Sequence, residues 1–318
     1  GVDGLSLPLV LINAALSLVA VICTRDISQR PRIYFALLLL ISGAVNGAFL
    51  AGNLLLFFLF YELELIPLWL LISIWGGAQR AYAATKFLIF TATSGVLILA
   101  AFLGLAVLTG SVDFSLRPVT SDHLAMGSQL LLLIPLLIGF GIKMPLVPFH
   151  NWLPDAHTQA STPVSVLLAG VLLKLGTYGL LRFCLGLFPE AWTLLTPGLA
   201  LWAAVSVLYG SLAAIAQRDM KRMVAYSSVG HMGYILLAAS ASTAVSLLGA
   251  VFQMVSHGLI SALLFLLVGI VYRKTGTRDL DVLRGLLNPE RGLPLTGTLM
   301  IIGVMASAGL PGMAGFIS

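Results

Sequence analysis

Runs of about twenty apolar residues recur along this chain, the length an α-helix needs to cross the hydrocarbon core of a bilayer. Ten can be marked: near Leu5 to Cys23, Ile33 to Leu50, Leu54 to Trp75, Ala84 to Leu108, Gln129 to Pro148, Val164 to Leu181, Leu194 to Ile215, Val224 to Ala239, Val245 to Val271 and Leu295 to Leu310. With 59% apolar and 9% charged residues among 318, the apolar surface exceeds what one soluble core can hide, and the surplus must face lipid. A backbone in lipid has to satisfy its own hydrogen bonds. The expected fold is therefore all-α, a polytopic transmembrane helix bundle, with residues 1–318 forming a single integral membrane domain.

The charges test this count independently. Arg25, Arg30 and Arg32 fall in one loop and Arg80 and Lys86 in a second; Arg218, Lys221 and Arg222 fall in a third, and Arg273, Lys274, Arg278, Arg284 and Arg291 in a fourth. With ten crossings these four share one side, and only Arg117 and Arg182 fall on the other. Thirteen against two is a positive-inside bias that places the four loops at the cytoplasmic or stromal face and Gly1 at the far face. The net charge of +5 is thus a topology signal, and no nucleic-acid role is read from it.

Cys23 and Cys184 are the only cysteines. They stand far apart, with no Cys or His at metal-ligand spacing, so neither a disulfide framework nor a zinc or iron–sulfur site is indicated. Glycine-rich nucleotide turns and a P-loop are also absent, so hydride and electron transfer are expected in partners. The chain opens at Gly1 without a signal pattern and stops inside an apparent unfinished span, as a fragment of a longer protein would.

Two interruptions rich in Pro and Gly, Lys143-Met-Pro-Leu-Val-Pro-Phe-His150 and Gly309-Leu-Pro-Gly-Met-Ala-Gly315, predict two broken helices, a feature of transporters built on internal repeats. An ionisable side chain at mid-membrane costs about 2.5 to 3.5 kcal/mol on insertion scales, so each one calls for a partner or a purpose. Glu62 and Glu64 lie two residues apart, about 200° around a regular helix, and are not expected to share a role. Glu62 is read as functional and Glu64 as a snorkelling or structurally bonded carboxylate.

Lys143 stands at the first interruption and Lys174 in mid-run. A buried amine loses hydration when charged and can load and release a proton, and a nearby carboxylate holds it charged until that pairing weakens. The expected switch pairs Glu62 with Lys143. Snorkelling to the headgroups suits Lys86 and Lys221 and stays open for Lys143, but fits Lys174 poorly. His231 and His257 carry the side chain best suited to passing protons near neutral pH; the alternative is that each is an ordinary satisfied hydrogen-bonding residue. His150, Asp155 and His157 flank the first break, either lining a route for protons or capping the break.

The string Lys143-Met-Pro-Leu-Val-Pro-Phe-His-Asn-Trp-Leu-Pro-Asp-Ala-His157, followed by Leu168-Ala-Gly-Val-Leu-Leu-Lys-Leu-Gly-Thr-Tyr-Gly-Leu-Leu-Arg182, resembles the antiporter-like subunits of respiratory complex I. Tyr61-Glu-Leu-Glu-Leu-Ile-Pro67, Lys221-Arg-Met-Val-Ala-Tyr-Ser-Ser-Val-Gly-His231, Gln253-Met-Val-Ser-His-Gly258 and Gly309-Leu-Pro-Gly312 extend the resemblance over almost the whole chain. It is most similar to the D subunits of the NDH-1 complexes of cyanobacteria and chloroplasts. This resemblance implies a thylakoid subunit of a proton-translocating NAD(P)H or ferredoxin:plastoquinone oxidoreductase. It places the family's essential glutamate at Glu62, its central lysines at Lys143 and Lys174 and its connecting histidines at His231 and His257, with a further glutamate expected beyond Ser318.

The resemblance also implies no cofactor in this chain, iron–sulfur clusters and quinone in partner subunits, and contacts with other membrane and hydrophilic NDH-1 subunits and the lipid bilayer. Gln159-Ala-Ser-Thr-Pro-Val-Ser-Val166 and Asp281-Val-Leu-Arg-Gly-Leu-Leu-Asn-Pro-Glu-Arg291 resemble the CO2-uptake forms, which carry a CO2-hydrating module. Two alternatives stay open: a subunit of a multi-subunit sodium/proton antiporter, which shares these motifs, and a non-pumping scaffold for the CO2-hydrating partner.

Overall fold

The computed structural model describes residues 1–24, 27–290 and 292–318; Arg25 and Arg291, counted above among the loop charges, lie outside the described residues. The helices are α1 (Ser6–Cys23), α2 (Pro31–Leu50), α3 (Leu54–Leu63), α4 (Leu65–Trp75), α5 (Arg80–Thr109), α6 (Met126–Lys143) and α7 (Trp152–Gln159). They continue with α8 (Thr162–Leu167), α9 (Leu173–Gly179), α10 (Pro189–Ile215), α11 (Met220–Ala241), α12 (Ala244–Thr275), α13 (Pro294–Ser307) and α14 (Ala314–Ile317). Among the described residues, eight spans are long and apolar enough to cross a membrane. Helix α11, which mixes serines, glycines and a histidine into its apolar background, and the shorter α13 account for the other two expected runs. The protein is a multi-pass integral membrane protein.

Hydrogen bonds gather the positive loops at one end, as the charge count requires. Trp75 Nε1 donates to Gln29 O, Gly77 N to Gln159 O, Lys221 Nζ to Ala160 O, Arg278 Nη1 to Thr158 O and Met220 N to Arg278 O. Asp155 of α7 bridges Lys86 of α5 at 2.7 Å and Arg222 of α11 at 3.5 Å. At the opposite end the Gly1 ammonium donates to Leu50 O, Val119 N to Leu187 O, and Arg182 pairs with Asp3. Lys221, expected to snorkel, is instead only 4% exposed.

Both predicted breaks are present. Helix α6 ends at Lys143, a single 3-10 turn follows over Phe149–Asn151, and α7 continues; Pro145 and Pro148 lack the N–H groups that would carry α6 onward. Between α13 and α14 the chain turns through Gly309 (φ 74°) and Gly312 (φ 90°), backbone conformations that glycine adopts at no steric cost. A third break divides the expected Leu54 to Trp75 span between α3 and α4 at Glu64. Its cause is Pro67, which has no N–H for the carbonyl of Leu63 and whose ring crowds that carbonyl.

Within the span over Thr162–Leu185, residues 163–181 are all buried, and the span forms the hub of the bundle, packed against α1, α6 and α12. Here polar groups can be kept from lipid. Two π-helical segments, Leu168–Leu172 and Leu180–Leu185, flank α9, a local widening that recurs at functional sites.

Candidate proton-transfer site

The helix breaks place the first charged group. Lys143, the last residue of α6, is 1% exposed and forms an ion pair with Glu64, which is 0% exposed. Its ammonium also lies 4.9 Å from the centroid of the Tyr61 ring, a favourable cation–π arrangement. The Tyr61 hydroxyl bonds Ser94 Oγ at 2.7 Å, and Ser94 Oγ donates to Gly139 O at 2.7 Å, which ties α3, α5 and α6 around the pair. Glu62 is half-buried, and its carboxylate lies against α5 where a Cβ on Gly95 would meet Oε1 at 2.0 Å. The expected Glu62–Lys143 pair is therefore corrected: the carboxylate that bonds Lys143 is Glu64. The two carboxylates would face about 200° apart only in a regular helix, and the chain is interrupted at Glu64, between α3 and α4.

The second group surrounds Lys174 of α9, which is 0% exposed. In the π segment Leu173 N bonds Leu168 O, five residues back. Ala169 O, which Leu173 would meet in a regular α-helix, accepts from Lys174 Nζ at 2.7 Å. Lys174 Nζ also bonds His257 Nδ1 of α12 at 2.7 Å. Close backbone approach makes this possible, since a Cβ on Gly258 would meet Gly170 O at 2.9 Å and Ile12 Cδ1 at 2.5 Å. The His257 and His231 ring centroids are 5.1 Å apart. His231 Nδ1 takes a 2.9 Å bond from Gln253 Nε2, and His231 Nε2 bonds Ser307 Oγ at 2.8 Å.

Of the five expected site residues, Lys143, Lys174 and His257 are buried and Glu62 and His231 half-buried, and they fall in two groups. Lys143 joins Glu64, while Lys174, His257 and His231 form a connected series. The groups adjoin where α9 meets the end of α6: a Cβ on Gly176 would sit 2.8 Å from Met144 N. Glu64 Oε2, His257 Nε2 and both ring nitrogens of His150 and His157 are buried without a protein partner among the described residues. His150 and His157 instead face aromatic rings, Tyr209 at 4.8 Å and Phe265 at 4.4 Å.

Gln253, Ser307 and Ser318 escaped sequence reasoning, because a polar uncharged side chain in a span carries no distinguishing signal. They border a cavity of about 850 Å³ beside His231, where Ser318 Oγ bonds Gln253 Oε1. A smaller cavity of about 510 Å³ opens among the positive loops, lined by Gln79, Thr158, Ser161, Lys221 and Arg278.

Residues 51–318 match the family model described as NADH:quinone oxidoreductase/Mrp antiporter, TM. The chain is 47% identical over 316 residues to NAD(P)H-quinone oxidoreductase chain 4 1 of a Synechococcus species, covering 99% of this chain and 59% of that one. It is 45% identical to chain 4 2 of Thermosynechococcus vestitus, over 100% of this chain and 59% of that one, so it spans about three fifths of the length of these relatives. Respiratory complex I of Thermus thermophilus contains a chain that superposes with a TM-score of 0.88 at 32% identity, over 100% of this chain and 66% of that one. Eight apolar spans among the described residues, broken helices, two buried lysines and this match over most of the sequence lead to one conclusion: the chain belongs to the NADH:quinone oxidoreductase/Mrp antiporter transmembrane family.

Proposed function

We propose that this chain is a proton-translocating membrane subunit of an NAD(P)H-quinone oxidoreductase complex, with residues 1–318 acting as one membrane domain. The observation that carries this reading is the Lys174–His257 bond deep in the bundle. Among the described residues no carboxylate lies within ion-pair distance of Lys174, and its ammonium is held by a carbonyl and an imidazole alone. An amine in that setting has an imidazole beside it as a ready proton acceptor.

The route follows from the atoms. Lys174 Nζ gives a proton to His257 Nδ1, and His257 releases one from Nε2, on the other side of the ring. His231 and Ser307 carry it towards the 850 Å³ cavity. Unpartnered buried polar atoms in protein interiors are usually met by water, which would join His257 Nε2 to the next group. On the other side of Lys174, Lys143 supplies the charge that loads the series, with Glu62 and Glu64 as its carboxylates. Quinone and iron–sulfur chemistry belong to partner subunits, membrane and hydrophilic, and this chain would sit among them in a thylakoid membrane.

The test is proton uptake into vesicles holding the complete complex, measured per quinone reduced, in wild type and in Lys174→Met. Retained pumping in the variant would sink the reading. The family description also names an antiporter. A sodium-dependent proton flux without any redox partner would transfer the same residues to cation exchange. Mass spectrometry of the complex purified through this chain decides between the respiratory and CO2-uptake forms: a CO2-hydrating module co-purifies only with the latter.

A further inference from the structure

Two carboxylates stand at the break between α3 and α4, in unequal surroundings. Glu64 is fully buried, bonds Lys143 through Oε1 and leaves Oε2 without a protein partner among the described residues. Glu62 is half-buried, has no cation within ion-pair distance among the described residues, and rests on the backbone of α5 at Gly95. We infer that Glu64 is the resting counter-ion of Lys143 and a positioning residue for proton transfer, so that Lys143 works between two carboxylates rather than with Glu62 alone. The inference rests on the translocation reading above.

Each charge taken out of water costs several kcal/mol, repaid only by a partner in good geometry, and a buried charge that loses its partner is strongly unfavourable. Glu64 meets this need for Lys143, and the Tyr61 ring centroid lies 4.9 Å from the ammonium. Lys143 therefore cannot discharge alone, because a bare carboxylate would remain in an apolar interior. Moving one proton from Lys143 Nζ to Glu64 Oε1 breaks an N–H bond, forms an O–H bond and leaves a neutral amine and a neutral acid, so charge balances within the pair.

The setting supports movement. Lys143 closes α6 at one break and Glu64 separates α3 from α4 at another, so a small hinge at either end changes their separation. An ion pair mounted on two hinges responds to bending in a way that one within continuous helices would not. Glu62, on the α3 side of the same break, is the second carboxylate available when the pair opens.

The experiment uses the assembled complex carrying the full-length chain, with protons moved per quinone reduced as the readout. Glu64→Gln should lower that ratio by the share this chain contributes, the same loss as in Lys174→Met, since Lys143 then lacks the buried counter-ion that holds its charge. Glu64→Asp, which keeps the charge, should recover much of it. If Glu64→Gln fails to assemble, the double variant Glu64→Gln with Lys143→Gln, which removes both charges, should restore assembly. A Glu64→Gln complex with the wild-type ratio overturns the inference. So does a Glu64→Asp complex as defective as Glu64→Gln, or a double variant that assembles no better than the single one. Lys174→Met, measured alongside, separates the two ideas: if it pumps, the translocation reading fails; if it does not while Glu64→Gln pumps normally, only the role of Glu64 fails.

Discussion

Lys174→Met should remove proton translocation while leaving the bundle nearly as stable as before. The lysine is wholly buried, with bonds to Ala169 O and His257 Nδ1 at 2.7 Å each. Replacing its charge in a transmembrane segment returns about 2.5 to 3.5 kcal/mol on insertion scales. Each lost bond from a charged donor costs about 1.5 to 3 kcal/mol. One of these is recoverable, because relaxing the π segment lets Ala169 O accept from Leu173 N as in a regular helix. The remaining bond costs about 1.5 to 3 kcal/mol against a return of about 2.5 to 3.5, so the net change lies within about 2 kcal/mol of zero, and at about 2 °C per kcal/mol for a chain of this size the thermal midpoint should move by no more than about 4 °C. A thiol-reactive dye can follow unfolding through Cys184, which is buried in the folded state, and vesicles report pumping. A midpoint lowered by more than about 10 °C would refute the energetic reasoning; intact pumping would refute the role of the residue.

Three further outcomes are expected. Gly95→Ala places a methyl where Glu62 Oε1 now lies, 2.0 Å from the ideal Cβ; only a flexible side chain has to move and alanine favours the helix by up to about 1 kcal/mol, so pumping should fall while the thermal midpoint holds, and a normal proton ratio would contradict the placement of Glu62. Asp155→Asn leaves Lys86 and Arg222 without their shared, partly buried carboxylate; a loss of about 1 to 2 kcal/mol is expected, smaller at high salt, and an unmoved midpoint at low salt would contradict it. Burial disfavours the charge on Asp3, but the Ser6 backbone N–H and the Arg182 guanidinium outweigh it and hold the carboxyl down at about 2 instead of 3.8. Being depressed on folding, this group contributes stability above about pH 4 that is lost as the pH falls through about 2. Asp3→Asn should abolish that acid-side dependence, with a screened effect of about 0.2 to 1 kcal/mol at neutral pH; an unchanged acid transition would argue against the Arg182–Asp3 contact.

Much of the fold was legible along the chain because its causes are local. A lipid-facing helix must be apolar over its own length, and loop charges sort by side, so spans and topology follow from runs of neighbouring residues. The breaks at Pro145 and Gly309 were legible for the same reason. The one missed, at Glu64, also had a local cause in Pro67, four residues beyond the Leu63 carbonyl it strands.

The site divides differently. Sequence alone determined that Lys174 would be buried, since it sits in mid-run where no snorkelling distance reaches the headgroups, but it left Lys143 open and misread Lys221, which is 4% exposed. Only the tertiary structure decided who meets whom. Lys143 and Glu64 are separated by 79 positions, and Lys174 and His257 by 83; their meeting depends on helix rotation, on the break that turns Glu64 inward and on the close approach of Gly170 and Gly258. A neighbour along the chain is constrained by hydrophobic period, whereas a neighbour across the bundle is set by the packing of helices whose sequences carry no mutual address.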